Sequence, residues 1–283
     1  MNPLVWITGA GGLIGNHLVA TASEFAPGVQ AVGLTRAHLE LTDFAAVRRR
    51  FAEERPAVVI HCAALSKSVA CKQNPELARL VNVEATRCLV ELAADIPFVF
   101  FSTDLVFDGR KGNYVETDPV NPLTVYAETK VAAEVIVQTH PRHIILRCAL
   151  NAGRSPAGTY AFNEQMSLAW QERRELNLFT DEFRCPLPAA VTARAVWELA
   201  SKNVTGTYHL GGAERLSRYE IGMLLAARCP ELGPRIVPGS LRQYQGPPRA
   251  ADVSLDCAKV QRELSFALPG FSAWLVANPD EPI

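Results

Sequence analysis

Thr8-Gly9-Ala10-Gly11-Gly12-Leu13-Ile14-Gly15 is the stretch on which the fold turns. It follows the apolar run Leu4-Val5-Trp6-Ile7, which reads as a first strand, and it opens a helical pattern from Leu13 to Phe25. Glycines at 9, 12 and 15 give the spacing GxxGxxG, because position 10 is alanine. One glycine serves a tight turn, one a close approach of backbone to a pyrophosphate, and one the packing of helix on strand. The free N–H groups at the start of the helix then suit phosphate oxygens. A glycine motif alone is weak, but at the first strand–helix junction it predicts a dinucleotide site. Gly9, Gly11, Gly12, Leu13, Ile14 and Gly15 are the residues expected to touch that cofactor.

Outward from this loop the pattern repeats. Ala31–Thr35, Val58–Ala63, Phe98–Ser102 and His143–Cys148 are short apolar runs, separated by helical patterns at Asp43–Glu54, Pro75–Ala94 and Tyr126–Thr139. The runs are continuous rather than alternating, as strands buried on both faces of a parallel sheet require. The expectation is an α/β fold, a doubly wound parallel Rossmann sheet with a smaller C-terminal substrate-binding lobe. Residues 1–150 form the expected NAD(P)-binding domain. Residues 151–283 form mainly the lobe, with a part at about 187–215 returning to the sheet domain. Beyond 150, helices are expected at Tyr160–Arg173, Ala189–Lys202 and Arg218–Cys229, the last capped by Ser217, with a strand at Gly206–Gly211. Gly233–Arg249, rich in proline and glycine, reads as loop.

Composition narrows the function classes. With 48% apolar residues in 283, a large core can be buried. A net charge of -1, with both signs interspersed, argues against nucleic acid as partner. No apolar run reaches membrane-spanning length. The chain opens directly into a strand with no basic, apolar leader pattern, so a cytoplasmic location is expected. The seven cysteines include no CxxC pair and read as free thiols of a reducing compartment. The six histidines show no metal-ligand spacing with them, so no metal is expected.

Two further stretches carry chemistry. The second strand is followed by Arg36, with no carboxylate until Glu40. A carboxylate there would bind the 2′-hydroxyl of NAD, whereas a guanidinium suits a 2′-phosphate, so NADPH is expected over NADH. Asp43 has two readings, an adenine contact and a helix cap. The fourth strand ends in Ser102-Thr103-Asp104, where open α/β sheets bind their ligands. Tyr126 and Lys130, four apart, share one face of a helix. A tyrosine hydroxyl can protonate the alkoxide formed when hydride reaches a carbonyl, provided a neighbouring ammonium lowers its pKa.

The glycine loop, Ser102-Thr103-Asp104-Leu105-Val106-Phe107-Asp108-Gly109 and Tyr126-Ala127-Glu128-Thr129-Lys130 together resemble the extended short-chain dehydrogenases/reductases. Within them they resemble the dTDP-4-dehydrorhamnose reductase-like branch. His61-Cys62-Ala63-Ala64, Val81-Asn82-Val83, Gly206–Gly212 and Leu216–Glu220 extend the likeness over nearly the whole chain. The resemblance implies that Thr103 is the family's Ser/Thr, Tyr126 its general acid and Lys130 the lysine that tunes the tyrosine and binds ribose. It implies that Asn82 supports a proton relay through water and that Asp104 orients substrate. Cys62, Ala63, Ala64 and Ser102, with Tyr126 and Lys130, would face the cofactor. The implied reaction is reduction of the 4-keto group of a deoxysugar nucleotide by NADPH, in a homodimer by default.

The likeness weakens on the substrate side. Leu105 stands where the family often has tyrosine, Lys72 where a glutamate is common, and Arg147–Gly153 lacks the usual aromatic. Lys67, Lys72, Arg184 and Arg249 are the cations available to a diphosphate. Two other functions stay open. One is an epimerase or dehydratase of the same superfamily, although a dehydratase would favour glutamate where Leu105 stands. The other is a non-catalytic NADP-binding regulatory subunit, as in methionine adenosyltransferase, against which Thr103, Tyr126 and Lys130 speak.

Overall fold

The computed structural model describes residues 2–202 and 204–281. Six parallel strands form the central sheet: β1 (Leu4–Thr8), β2 (Gln30–Leu34), β3 (Val58–His61), β4 (Phe98–Thr103), β5 (His143–Cys148) and β6 (Gly206–Leu210). Their order is β6-β5-β4-β3-β1-β2. The chain leaves β1 toward one edge and returns beside it with β3. The crevice at this switch point is where such sheets receive ligands.

Alternate side chains of the strands feed two cores. Val5, Ile7, Ile60, Val99 and Leu146 pack with Leu18 of α1 (Leu13–Phe25) on one face. Trp6, Val59, Phe98, Phe100 and Ile145 pack on the other, against α2 (Phe44–Glu54), α3 (Ala85–Leu92) and α4 (Val125–Gln138). Fully buried residues such as Trp6, Phe98 and Phe100 each contribute roughly 1.5–3 kcal/mol by leaving water. Two-sided burial explains why the strands read as unbroken apolar runs.

Three longer helices follow in the second half: α5 (Phe162–Gln171), α6 (Ala189–Ser201) and α7 (Arg218–Arg228). The lobe has its own core of Phe162, Met166, Trp170, Ile221, Leu225 and Phe271. Ser217 and Glu220 form a reciprocal capping box at the start of α7, in which Ser217 Oγ accepts from the Glu220 N–H. Trp197 and Val196 of α6 pack into the first sheet core, and β6 extends the sheet beside β5. Among the described residues, no helix is long and apolar enough to cross a membrane. Nor does any group of three His, Cys, Asp or Glu there stand ready to hold a metal ion.

Two elements differ from the sequence reading. The helix expected over Pro75–Ala94 is broken: Pro75–Arg79 is α-helical, Leu80–Glu84 is a π turn, and α3 follows. The Gly233–Arg249 stretch contains a strand, Ile236–Gly239, paired in parallel with Leu176–Phe179. Its proline is tolerated because this two-stranded ribbon leaves one edge unpaired.

Candidate active site

The loop after β1 is built for close backbone contact. Gly9 has φ +71°, and a Cβ there would lie 2.7 Å from the Ala63 nitrogen. The turns after β1 and β3 therefore touch, and the Ala63 N–H donates to Thr8 Oγ1 at 3.2 Å. A Cβ on Gly15 would collide with the Gly9 carbonyl. Gly12 caps α1 without a side-chain hydrogen bond, so the first N–H groups of α1 are free for an anion. These are the features a pyrophosphate cradle needs, and Leu13 and Ile14 line the adjoining cleft. Cys62 lies beside Lys130, and burial raises its thiol pKa, so it is a neutral wall rather than a nucleophile.

Arg36 follows the end of β2, and Asp43 stands at the start of α2. Arg36 is three-quarters exposed, its Nε 3.4 Å from Glu40. Asp43 caps α2 by accepting from the Ala46 N–H at 3.0 Å. Gly11 approaches Thr35, with ordinary contact distance from a built Cβ, so the glycine loop and the start of the Arg36 turn adjoin.

The cleft between sheet and lobe has a volume of about 430 Å³, and its sheet side carries Ser102, Thr103, Asp104 and Tyr126. The Thr103 hydroxyl caps the short turn Asp104–Val106 by accepting from the Leu105 N–H, and donates to Asp104 Oδ1 at 3.1 Å. Asp104 Oδ2 is buried and makes no hydrogen bond, while Arg184 Nε lies 3.9 Å away. Burial lifts the Asp104 pKa to about 6, with Arg184 and the Thr103 bond pulling the other way.

Tyr126 and Lys130 lie one turn apart on α4. Burial raises the Tyr126 pKa and the Asp104 charge adds to it, while the Thr103 hydroxyl pulls it back. Lys130 is itself buried, 3.9 Å from the centre of the Phe100 ring, and burial brings its pKa down to about 7. Glu134, one turn further, opposes that shift. Glu134 accepts from Ser102 Oγ and makes an ion pair with Arg147 at 2.8 Å. Ser102 thus anchors α4 from below while lining the cleft.

Asn82 sits in the π turn. Its Oδ1 accepts from the Leu65 N–H at 2.7 Å, and its Nδ2 donates to the Leu65 carbonyl and to Thr129 Oγ1. It ties the strand-three turn to the helix that carries Tyr126, and its polar atoms are committed to that task. Ala64 lies in the same turn, one residue before Leu65.

The lobe side is an arginine cluster. Glu182, almost wholly buried, accepts from Arg184 at 3.0 Å and from both Nε and Nη2 of Arg249. Arg184 also donates to the carbonyls of Phe183 and Ala250. Arg218 faces the same cleft from the first turn of α7. It is the residue that sequence reading missed, since a helix-start arginine looks like a solvated charge. Lys67 and Lys72 are exposed, with Lys67 over the Tyr160 ring, and neither lines the cleft.

The family model described as RmlD substrate binding domain matches residues 2–278. Methionine adenosyltransferase 2 subunit beta of Xenopus laevis is 30% identical, covering 90% of this chain and 81% of that protein. The dTDP-4-dehydrorhamnose reductase of Sinorhizobium fredii is 28% identical, covering 94% and 93%. The crystal structure of dTDP-4-dehydrorhamnose reductase from Bacillus anthracis str. Ames, in complex with NADP, superposes with a TM-score of 0.88 over 98% of each chain. At 23% identity that likeness speaks for the fold alone.

Proposed function

The chain belongs to the RmlD substrate binding domain family, and from that premise we propose that it is an NADPH-dependent reductase of a 4-keto sugar nucleotide. The observation that carries this reading is the convergence of Thr103, Asp104 and Tyr126 on one cleft beside the glycine loop. Bound NADPH would supply the hydride. Gly9, Gly12 and Gly15 leave room for its pyrophosphate, the first turn of α1 offers N–H donors, and Arg36 stands near the end of β2 for a 2′-phosphate.

The residues of the chain handle the proton. Reduction needs a protonated phenol at Tyr126, and burial keeps it protonated at neutral pH. Thr103 offers a second hydroxyl to the carbonyl oxygen once its hydrogen turns from Asp104 toward the substrate. Two donors aimed at one oxygen stabilise the negative charge that builds there. Lys130, its pKa brought down to about 7 by burial, would hold or release a proton behind the tyrosine and bind the nicotinamide ribose. The test is NADPH oxidation followed with a panel of 4-keto sugar nucleotides.

The 30% identity to a regulatory-subunit relative supports a second reading, an NADP-binding regulator without turnover. Retained Thr103, Tyr126 and Lys130 favour the reductase. A protein that binds NADPH, oxidises it with none of the panel and alters the kinetics of a partner enzyme would be the regulator.

A further inference from the structure

The end of β3 holds an imidazole that the proposed reaction does not use. His61 is 1% exposed, and it stands opposite Thr8 on β1 and Phe100 on β4. Its Nδ1 lies 2.7 Å from Thr8 Oγ1, and its Nε2 lies 3.0 Å from Thr86 Oγ1 on α3. The neighbours decide where the protons are. The Thr86 hydroxyl donates back one turn to the Asn82 carbonyl at 2.8 Å, so its one hydrogen is spent. Thr86 can then only accept from the imidazole, which places a proton on Nε2. Burial brings the imidazole pKa down to about 3, and the Lys130 charge adds to the shift, so the ring is neutral and Nδ1 keeps its lone pair. Nδ1 therefore accepts from the Thr8 hydroxyl, whose oxygen accepts from the Ala63 N–H at 3.2 Å.

The run continues past Asn82. Its Nδ2 donates to Thr129 Oγ1 at 2.9 Å, and the Thr129 hydroxyl donates to the Tyr126 carbonyl at 2.7 Å. Every link from Ala63 to Tyr126 points the same way, an arrangement in which each bond polarises the next. One end adjoins the glycine loop, since a Cβ on Gly9 would strike Ala63. The other end is the backbone of the expected proton donor. Thr8, His61, Asn82 and Thr86 are each at most 1% exposed. Burying that many polar groups gains little over an apolar filling of the same space. What it adds is direction: a fully satisfied polar network holds a single packing, whereas apolar contacts tolerate repacking.

We infer that His61, as its Nε2–H tautomer, is a positioning residue: through Thr86, Asn82 and Thr129 it fixes the first turn of α4, and Tyr126 with it, against the strand that enters the glycine loop. Its effect on turnover rests on the reductase reading. The tautomer and the placement of Asn82 do not.

Thr86 is the link to break, because it lines neither the glycine loop nor the cleft. Thr86→Val removes the hydroxyl and keeps the shape, and Thr86→Ser keeps the hydroxyl. Nitrogen NMR of histidine-labelled wild type, with NADP+ present, is expected to show a protonated Nε2 and a bare Nδ1 on His61, unchanged from mildly acid to mildly alkaline pH. The signal is assigned by its loss in His61→Asn, or by its contacts with the Phe98 and Phe100 rings should that variant not fold. In Thr86→Val the Asn82 side-chain amide signals are expected to shift and kcat to fall about tenfold or more, with NADP+ affinity retained. Thr86→Ser is expected to restore both. An Nδ1–H tautomer, an imidazole that titrates near its ordinary value, or an unchanged kcat in Thr86→Val overturns the proposal. So does an equal loss in the two variants, which would make the helix packing of Thr86 the cause. A wild type that turns over no keto sugar nucleotide, yet shows the tautomer and the Asn82 shift, would overturn the reductase reading and leave this one standing.

Discussion

Arg184 approaches Asp104 to 3.9 Å without giving it a hydrogen bond, and Asp104 Oδ2 stays unpartnered inside the cleft. The pair is a charge relationship rather than a clasp. It leaves Asp104 titrating at about 6, above its ordinary 3.8, because burial outweighs the neighbouring cation.

That position predicts a pH limb. The cost of ionising Asp104 is absent below its ordinary pKa, grows as pH rises to about 6, and is fully present above. If Asp104 orients substrate as a carboxylate, that form exists above pH 6 and is lost below it. kcat/KM is expected to fall on the acid side with an inflection near 6. Asp104→Asn should flatten that limb and lower kcat/KM at pH 7.5 by about 10–100-fold, the worth of one hydrogen bond to a charged group. An unchanged limb in the variant would remove Asp104 from substrate contact.

Tyr126→Phe removes the proton donor and keeps the ring. Turnover is expected to drop by about a thousandfold or more, near the upper end of what a general acid contributes. NADPH affinity, measured by fluorescence titration, should stay within about twofold. Normal turnover by the variant would mean that another group delivers the proton.

Arg36 is exposed and its Glu40 partner is a surface one. Such pairs contribute little to stability, so Arg36→Ala should leave the melting temperature unchanged. NADPH should bind about tenfold or more weakly, while NADH binding stays the same. Equal losses for the two cofactors would refute recognition of a 2′-phosphate.

The Glu134–Arg147 pair is buried on both sides, with side-chain exposures of 3% and 6%. Arg147→Leu leaves an ionised Glu134 without its partner and should cost about 3–5 kcal/mol. Glu134→Gln has a second, separable effect. Glu134 raises the Lys130 pKa against burial, so its neutralisation should move the Lys130 titration further below about 7. A pH–rate profile displaced toward acid, in protein that still melts cooperatively, is the expected signature. A profile that stays in place would make Glu134 purely structural.

Much of this was legible from residue order. The glycine loop fixed the switch point, because Gly9 and Gly15 sit where any side chain would strike backbone. Strands buried on both faces announce themselves as apolar runs, and β1, β3, β4 and β5 did so. The π turn did not, because one extra residue barely disturbs apolar spacing over so short a length. The strand at Ile236–Gly239 contains Pro238 and is mostly half-exposed, so it lacks the usual strand pattern. In the site, Tyr126 and Lys130 were named by spacing. The raised tyrosine and the weakened lysine were not foreseeable, since both depend on depth of burial rather than on sequence neighbours. Arg218 was invisible for a related reason. The side chains that claim Glu182 come from positions 184 and 249, and only folding brings 218 to the same cleft.

The π turn at Leu80–Glu84 has a consequence for how length can vary in this part of the chain. Each residue of an α-helix advances about 100° around the axis, so one residue gained or lost changes the phase of all that follows. Asn82 faces the Leu65 turn on one side of that shift, while Ala85, Cys88 and Leu89 face the sheet on the other. Deleting one residue between 80 and 84 would restore a regular spiral, and it would turn either the asparagine or the apolar stripe away from its partner. The widened turn is a phase corrector, and chain length here is as constrained as residue identity.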